Sequence, residues 1–276
     1  MLYAVSPRGS TKRFHIGESV GVYPSGVNVD GTKSQYNNNV SSEIVALLGL
    51  NFKASKNLNL QGWDVYTDNV YNTAMLQADL LFPQKNSSSF FAAIQFIRQD
   101  AINHGGNTNA AKTYFEKNGR SFSFGARAGW KNKTWETSIN YNRITGHGRY
   151  LMPREWGREP FFTFLPRERN EGFGDVHAIM ARVNFNIPKA GIKTSLAAGY
   201  YKLPDVKNYR LNKYGLPSYT QANADIRYSF TGILKGFEAQ LLVVWKMNAG
   251  EMYNNRRFEI NKVNMLQYNF VLNFHF

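Results

Sequence analysis

The last stretch of the chain reads Met265-Leu266-Gln267-Tyr268-Asn269-Phe270-Val271-Leu272-Asn273-Phe274-His275-Phe276. Apolar or aromatic side chains stand at every second position from Leu266 to Phe276, and mostly polar side chains fill the positions between them. Successive side chains of an extended strand point to opposite faces, so a period of two predicts a β-strand with one apolar and one polar face.

The same alternation recurs along most of the chain, which predicts an all-β protein of about eleven antiparallel strands of roughly 10–13 residues. Strands of globular proteins are usually about 5–6 residues long, whereas a strand that crosses a bilayer at a tilt needs about 9–11 residues. Strand length therefore favours a transmembrane up-and-down β-barrel over a soluble all-β protein, whose strands would alternate around a buried core. The alternation is clearest over 43–53, 76–82, 121–130, 135–142, 177–185, 221–230, 237–246 and 265–276, and it is ambiguous in facing over 58–66, 89–100 and 190–201.

The connections between the predicted strands alternate between long and short. Outer-membrane barrels have short periplasmic turns and long external loops, so this alternation predicts a bacterial outer-membrane location. One connection departs from it, because 67–70 should be long and is short. The long connections are 101–118, 146–173, 202–217 and 249–263, and the short ones are 83–88, 131–133, 187–189 and 231–235.

Large aromatic residues gather beside the short turns, as expected of the girdle that a barrel places at a membrane boundary. They are Phe52, Phe82, Trp130, Trp135, Phe185, Phe230, Phe237 and Phe276. Tyr141, Tyr200 and Trp245 lie near the opposite strand ends and are candidates for the second girdle.

Composition limits the function. The 276 residues carry 33 Lys and Arg against 19 Asp and Glu, and the net charge of +14 suggests an anionic partner. Cysteine is absent, which excludes thiol catalysis, Cys-based zinc sites and disulfides.

The five histidines are scattered, so we expect neither a metal nor a cofactor. No Ser–His pair can be singled out, so we expect no enzyme. Basic and aromatic side chains alternate onto opposite faces, which argues against nucleic-acid binding.

The polar faces are predicted to line a wet lumen. We expect Arg127, Arg182, Arg227, Lys246, Asp225 and Glu136 to line the pore. The three arginines each fall about four residues before a short turn on strands of the same direction, so they could form a ring at one height that favours carboxylate or phosphate solutes. The alternative is that Arg127 pairs with Glu136, and Arg227 with Glu238, across tight hairpins.

The connection 146–173 alternates Arg and Glu densely, with aromatic residues between them. We expect it to fold into the barrel mouth and to narrow the pore through Arg154, Glu155, Arg158, Glu159, Arg167 and Arg169. Glu155 and Glu159 could form a catalytic carboxylate pair. Arginines on both sides would keep them ionised, which suits salt bridges better than acid catalysis.

Two segments of this connection resemble the OprD family of outer-membrane porins: Trp-Gly-Arg-Glu-Pro-Phe-Phe-Thr at 156–163 and Arg-Glu-Arg-Asn-Glu-Gly at 167–172. Asp-Asn-Val-Tyr at 68–71, running into Leu-Gln-Ala-Asp at 76–79, resembles an earlier segment of the family. The resemblance implies an 18-stranded monomeric barrel with inward-folded loops and a lumenal ladder of basic residues. It also implies facilitated diffusion of small solutes, often carboxylates or amino acids.

These observations set the remaining expectations. Residues 42–276 should form one barrel domain, and 1–41 an N-terminal loop or partial segment. Eleven strands cannot close an 18-strand barrel, so we expect the C-terminal part of a longer porin; alternatively, 12–23 form a twelfth strand of a smaller barrel. The expected partners are outer-membrane lipid, lipopolysaccharide and small anionic or zwitterionic solutes, and the expected assembly is a monomer, with a trimer as the alternative. A non-conducting barrel acting as a structural protein or adhesin is the alternative function.

Overall fold

The computed structural model describes residues 2–3, 20, 26–168 and 170–275. One antiparallel sheet contains every described strand, and the strands follow one another in chain order. The strands are β1 (Leu2–Tyr3), β2 (Val45–Lys53), β3 (Leu58–Thr67), β4 (Tyr71–Pro83), β5 (Ser89–Ala101), β6 (Arg120–Lys131), β7 (Trp135–Ile144), β8 (Val176–Ile187), β9 (Ile192–Lys202), β10 (Tyr219–Ser229), β11 (Phe237–Asn248) and β12 (Met265–Phe274). The prediction of about eleven long antiparallel strands is confirmed.

The largest difference from the predicted strands is at the start of β4. This strand begins at Tyr71, five positions before the alternation becomes clear in the sequence. Tyr71 pairs with Thr67 on one side and with Ala101 on the other, so the ladder is complete there. Tyr71 and Met75 face inwards and pack beneath loop residues, so apolar side chains occupy both faces and mask the period of two.

The outward face of the sheet is apolar, as the alternation predicts. Leu50, Phe52 and Phe270 have 62%, 65% and 73% of their surface exposed, whereas the polar Gln95, Asn140 and Gln221 on the other face are all nearly buried. A soluble sandwich would bury the apolar set instead, because burial removes apolar surface from water. The sheet therefore directs its apolar side chains outwards, as the lipid-exposed wall of a barrel does.

The connections separate by length onto the two ends of the sheet. Short turns at one end are 54–57, 84–88, 132–134, 188–191 and 230–236, and long loops at the other are 102–119, 145–175, 203–218 and 249–264. The short connection between β3 and β4 belongs to the long-loop end. It is a tight turn in which Asn69 adopts φ 59° and Val70 donates to the Thr67 carbonyl at 3.0 Å.

The apolar core lies inside the curve of the sheet, where the long loops meet the inward face of the strands. One cluster joins Tyr150, Phe161 and Leu165 of the loop 145–175 to Tyr201 of β9 and Tyr219 of β10. A second joins Tyr36, Tyr71, Tyr114, Phe115 and Leu151 near β4. The loops, rather than a second sheet, therefore supply the other side of the core.

The sheet has β1 at one edge and β12 at the other, and among the described strands no ladder joins β12 to β1 or β2. The predicted strand 12–23 lies outside the described residues except for Val20. The described residues contain no helix that is long and apolar enough to cross a membrane.

Candidate solute pathway

Basic side chains surround a cavity of about 850 Å³ on the inward face of the sheet, near the short turns. The strands bring Arg127, Arg182 and Arg227 into its wall, and the loop 145–175 adds Arg158. The six Lys and Arg residues that line it are Arg127, Lys133, Arg158, Arg182, Lys193 and Arg227, and the three acidic ones are Glu136, Glu159 and Asp225. The cavity thus contains most of the predicted pore-lining set.

Arg127 does not pair with Glu136, so that prediction is wrong. The strand register places Arg127 opposite Asn140, and Glu136 opposite Lys131. Arg127 reaches instead across β5 to Asp79 of β4, with its Nη2 2.8 Å from the carboxylate. The guanidinium also lies 4.8 Å from the centroid of the Phe162 ring, a distance suited to a cation–π contact.

Arg227 does pair with Glu238, at 3.9 Å, and it also contacts Asp225 at 3.1 Å. Gln240 donates to both oxygens of Asp225 as well, so this carboxylate is held by two neighbours. The Arg227 side chain remains 43% exposed.

The three arginines are offset along the hydrogen-bond ladders. The ladder from Arg127 passes through Asn140 to Met180, two residues before Arg182, and the ladder from Arg182 passes through Ala197 to Asn223, four residues before Arg227. The strand ends shift in the same direction, because β6 ends at Lys131, β8 at Ile187 and β10 at Ser229, and each arginine therefore lies two to five residues from the short-turn end of its own strand.

The loop 145–175 lies against the inward face and is tied to it by hydrogen bonds from several strands. Gln95 donates to the Pro160 carbonyl at 3.1 Å, and Gln99 exchanges two bonds with the Leu151 backbone at 2.6 and 2.9 Å. Tyr201 donates to Thr163 at 2.7 Å. Arg182 donates to the Phe164 carbonyl at 2.6 Å. Gln221 and Asn223 each donate to the Pro166 carbonyl at 2.9 Å.

The loop's own carboxylates hold its shape. Glu159 accepts from the Asn170 amide, Glu168 accepts from the Leu165 amide at 3.2 Å, and Glu171 accepts from the Tyr214 hydroxyl. All three glutamates are nearly fully buried. This bonding gives Glu159 a structural role. The side chain of Glu155 and the whole of Arg169 lie outside what the structure describes.

A second cavity of about 1090 Å³ lies on another side of the same loop. Its basic lining consists of Arg154, Arg158, Arg167, Lys246 and Lys262, with Glu168 and Glu171 as acids. Lys246, predicted as pore-lining, is only 4% exposed, and its Nζ lies 3.7 Å from the Tyr219 ring centroid. Arg158 and Phe164 line both cavities, with the guanidinium 5.7 Å from the ring centroid, so these two side chains stand between them.

Lys193 lines the first cavity and was missed by sequence reasoning, whereas Phe162 and Phe164 line it as part of the loop that was expected to fold inwards. Lys193 was recoverable, because Leu196 and Tyr200 face outwards and the period of two then places Lys193 inwards. The positions of the two phenylalanines depend on the path of the loop, which has no periodic signal in the sequence. Among the described residues, His, Asp and Glu side chains form no group of three or more that could hold a metal ion.

Neutralising Glu168 should reduce the pH dependence of stability. Burial raises the pKa of Glu168 above its ordinary value of 4.5, and nearby Glu159 raises it further. A carboxyl whose pKa is higher in the folded state stabilises the fold less as the pH rises above 4.5 towards that folded value. We expect Glu168→Gln to narrow the difference in unfolding temperature between pH 5 and pH 8, while the control Glu251→Gln, in an exposed loop position, leaves it unchanged. If Glu168→Gln has the same difference in unfolding temperature between pH 5 and pH 8 as the unaltered protein, this prediction is wrong.

Solved structures of outer-membrane proteins share this architecture. The outer membrane protein OprD from Pseudomonas aeruginosa superposes with a TM-score of 0.66 at 11% identity, covering 85% of this chain and 59% of its own. The chain has the OprD fold. Acinetobacter baumannii OccAB2 gives 0.65 at 14% identity over 87% and 57%, and OccAB4 from the same organism gives 0.61 at 16% over 75% and 49%.

The chain therefore spans about half to three fifths of the length of the OprD-fold proteins it matches. No protein-family model matches the sequence, and no curated protein matches it. The fold implied by the sequence resemblance to the OprD family is confirmed.

Proposed function

We propose that the chain forms the wall and inward loop of a passive outer-membrane channel for small hydrophilic solutes, and that the channel favours anionic, carboxylate-type solutes. The observation that carries the proposal is the cavity on the inward face, whose lining has six basic and three acidic residues. Charged side chains that line a pore set which ions enter it.

Two of the three acidic residues of this cavity, Asp225 and Glu159, are less available to a solute than the basic ones. Asp225 is engaged by Arg227 and Gln240, and Glu159 accepts a loop amide. Arg227 is well exposed, and Arg127 is 37% exposed. Guanidinium groups bind carboxylates in a planar, two-point geometry, so the free surface of these arginines suits carboxylate solutes.

The placement in the outer membrane rests on the apolar outward face, the division into short turns and long loops, and the fold shared with OprD. Outer-membrane lipid would cover the outward face. By analogy with the family that the sequence resembles, we propose a monomer that needs no cofactor and has no enzymatic activity.

Replacing Arg127, Arg182 and Arg227 together by Gln should lower the anion-to-cation permeability ratio by about threefold or more, because it removes three of the six positive charges on the cavity wall. The reversal potential of the full-length protein in planar bilayers, under a salt gradient, measures this ratio. The matched control is Lys85→Gln, Lys189→Gln and Lys235→Gln, which removes three exposed charges from short turns. Equal selectivity in both triple variants would reject the role of the arginines.

A non-conducting barrel is the second candidate, because the loop 145–175 is tied to four strands and its glutamates are buried. A loop held this firmly could close the lumen, and the protein would then act as a structural barrel or an adhesin. Stepwise conductance in the bilayer recording supports the channel. A folded protein that inserts and stays silent supports the alternative.

A further inference from the structure

The charged side chains of the outward face are distributed unevenly. In the described strands β2–β12, every Lys or Arg that faces outwards lies on β5, β6, β7 or β9, within three residues of the long-loop end. These residues are Arg98, Arg120, Arg143 and Lys202, and His177 of β8 stands among them. At the short-turn end of the same face, the outward side chains are uncharged, as in Phe90, Trp130 and Trp135.

The strand register brings three of these residues into a continuous row and sets Arg98 and Arg120 to one side of it, because Arg143 is opposite Phe124 of β6, four residues from Arg120. Arg143 of β7, His177 of β8 and Lys202 of β9 are direct neighbours on one line across the sheet. Adjacent strands lie about 4.8 Å apart, so the three Cα atoms span roughly 10 Å. Arg120 of β6 is opposite Asp100 of β5, and Arg98 lies two residues away on the same face.

Two carboxylates form ion pairs with these cations, and a third outward carboxylate, Asp64 of β3, lies on the ladder that passes through Ala74 to Arg98. Asp100 pairs with Arg98 at 2.6 Å, and Asp175 pairs with Arg143 at 2.6 Å. Arg120 and Lys202 are exposed, and neither forms an ion pair with any described residue. His177 lies 2.7 Å from the Tyr141 hydroxyl through its Nδ1. The row therefore carries a net positive charge and several side-chain N–H groups that bond no described residue.

Directly below the row, towards the middle of the outward face, the side chains are apolar or aromatic. Phe124, Tyr141, Ile179 and Tyr200 have 48%, 37%, 50% and 40% of their surface exposed. A partner that fits both zones carries phosphates at one level and acyl chains below them. A free phosphate would use only the cations.

We propose that this outward row is a binding site for the phosphate groups of lipopolysaccharide. The long-loop end of an outer-membrane barrel is the external end, where lipopolysaccharide is the phosphorylated lipid of the leaflet. Arg98, Arg120 and Lys202 supply the charge that the phosphates require, and the aromatic side chains below them contact the acyl chains. The proposal shares with the proposed function the placement in the outer membrane, but it does not depend on solute passage.

The test compares three forms of the full-length protein in detergent: the unaltered chain, Arg98→Gln/Arg120→Gln/Lys202→Gln, and the control Lys85→Gln/Lys189→Gln/Lys235→Gln. Arg143 is left in place, because its guanidinium bonds the Ile144 and Val176 carbonyls. Native mass spectrometry titrates each form with lipid A that carries both phosphates and with the same lipid A after enzymatic dephosphorylation. Resistance to unfolding in SDS shows that each variant is folded.

We expect Arg98→Gln/Arg120→Gln/Lys202→Gln, the rim variant, to bind phosphorylated lipid A about tenfold or more weakly than the unaltered chain at low salt, because each Lys or Arg near a charged lipid surface contributes to the attraction. The turn control should bind like the unaltered chain, and dephosphorylated lipid A should bind all three forms equally weakly. Undiminished binding by the rim variant, or equal binding of both lipids by the unaltered chain, overturns the proposal. We expect the rim variant to have the same ion selectivity as the unaltered chain. The selectivity measurement therefore tests the channel proposal independently of lipid A binding.

Discussion

Replacing residues 151–171 by a short Gly-Ser linker raises the single-channel conductance by about two- to fourfold, if the inward loop sets the narrowest width of the pore. Arg158 and Phe164, which stand between the two cavities, are removed with this segment. The loop closes readily without it, because Tyr150 and Phe173 already form an antiparallel bridge and the Gly172 amide donates to the Tyr150 carbonyl at 2.7 Å. A linker of about four residues is therefore long enough.

The deletion also removes part of the apolar core, so a milder variant accompanies it. Tyr201→Phe/Gln221→Ala/Asn223→Ala removes three side-chain donors that hold the loop at Thr163 and Pro166. We expect larger current fluctuations and a smaller rise in mean conductance, because the loop then moves more freely in the lumen. Tyr200→Phe/Thr220→Ala, on the outward face, is the matched control. Conductance equal to the unaltered protein in both loop variants would show that the loop does not narrow the pore.

Arg149→Met detaches the segment 26–36 from the long loops and destabilises this part of the structure by about 3–5 kcal/mol. The guanidinium of Arg149 is nearly buried and donates to four backbone carbonyls. They are Val27 at 2.8 Å, Asn28 at 3.1 Å, Arg210 at 3.1 Å and Tyr209. Methionine fills a similar volume but leaves all four acceptors without this donor.

Hydrogen exchange measures this effect. Amides in 26–36 and 203–218 should exchange roughly 150- to 5,000-fold faster in Arg149→Met, whereas those of the strands should be unchanged. Burial lowers the pKa of Arg149 to about 10. The side chain therefore stays protonated at neutral pH, and the effect should be the same at pH 6 and pH 8. Arg210→Met is the control, because exposed Arg210 reaches only the Gly146 and His147 carbonyls, at 3.0 and 3.5 Å. Equal exchange in the two variants would contradict the role of Arg149.

The pairing of the arginines shows where sequence reasoning about the site succeeded and where it failed. Arg227 and Glu238 belong to adjacent strands joined by one short turn, and their contact was predictable from the hairpin alone. Arg127 reaches Asp79, which is 48 positions away and two strands distant. Such a contact depends on side-chain length and on the curvature of the sheet. Neither has a periodic signature in the sequence.

The sequence by itself determined the approximate number and the order of the strands and the facing of most of them, because a period of two is a local property that one face in contact with apolar surroundings imposes on each strand. It also indicated which connections are long. Only the tertiary structure decided the path of the loop 145–175 and its contacts with Gln95, Tyr201 and Gln221, since these depend on hydrogen bonds between residues far apart in the chain. The basic row at the outward rim likewise became visible only through the strand register, which places Arg143, His177 and Lys202 side by side.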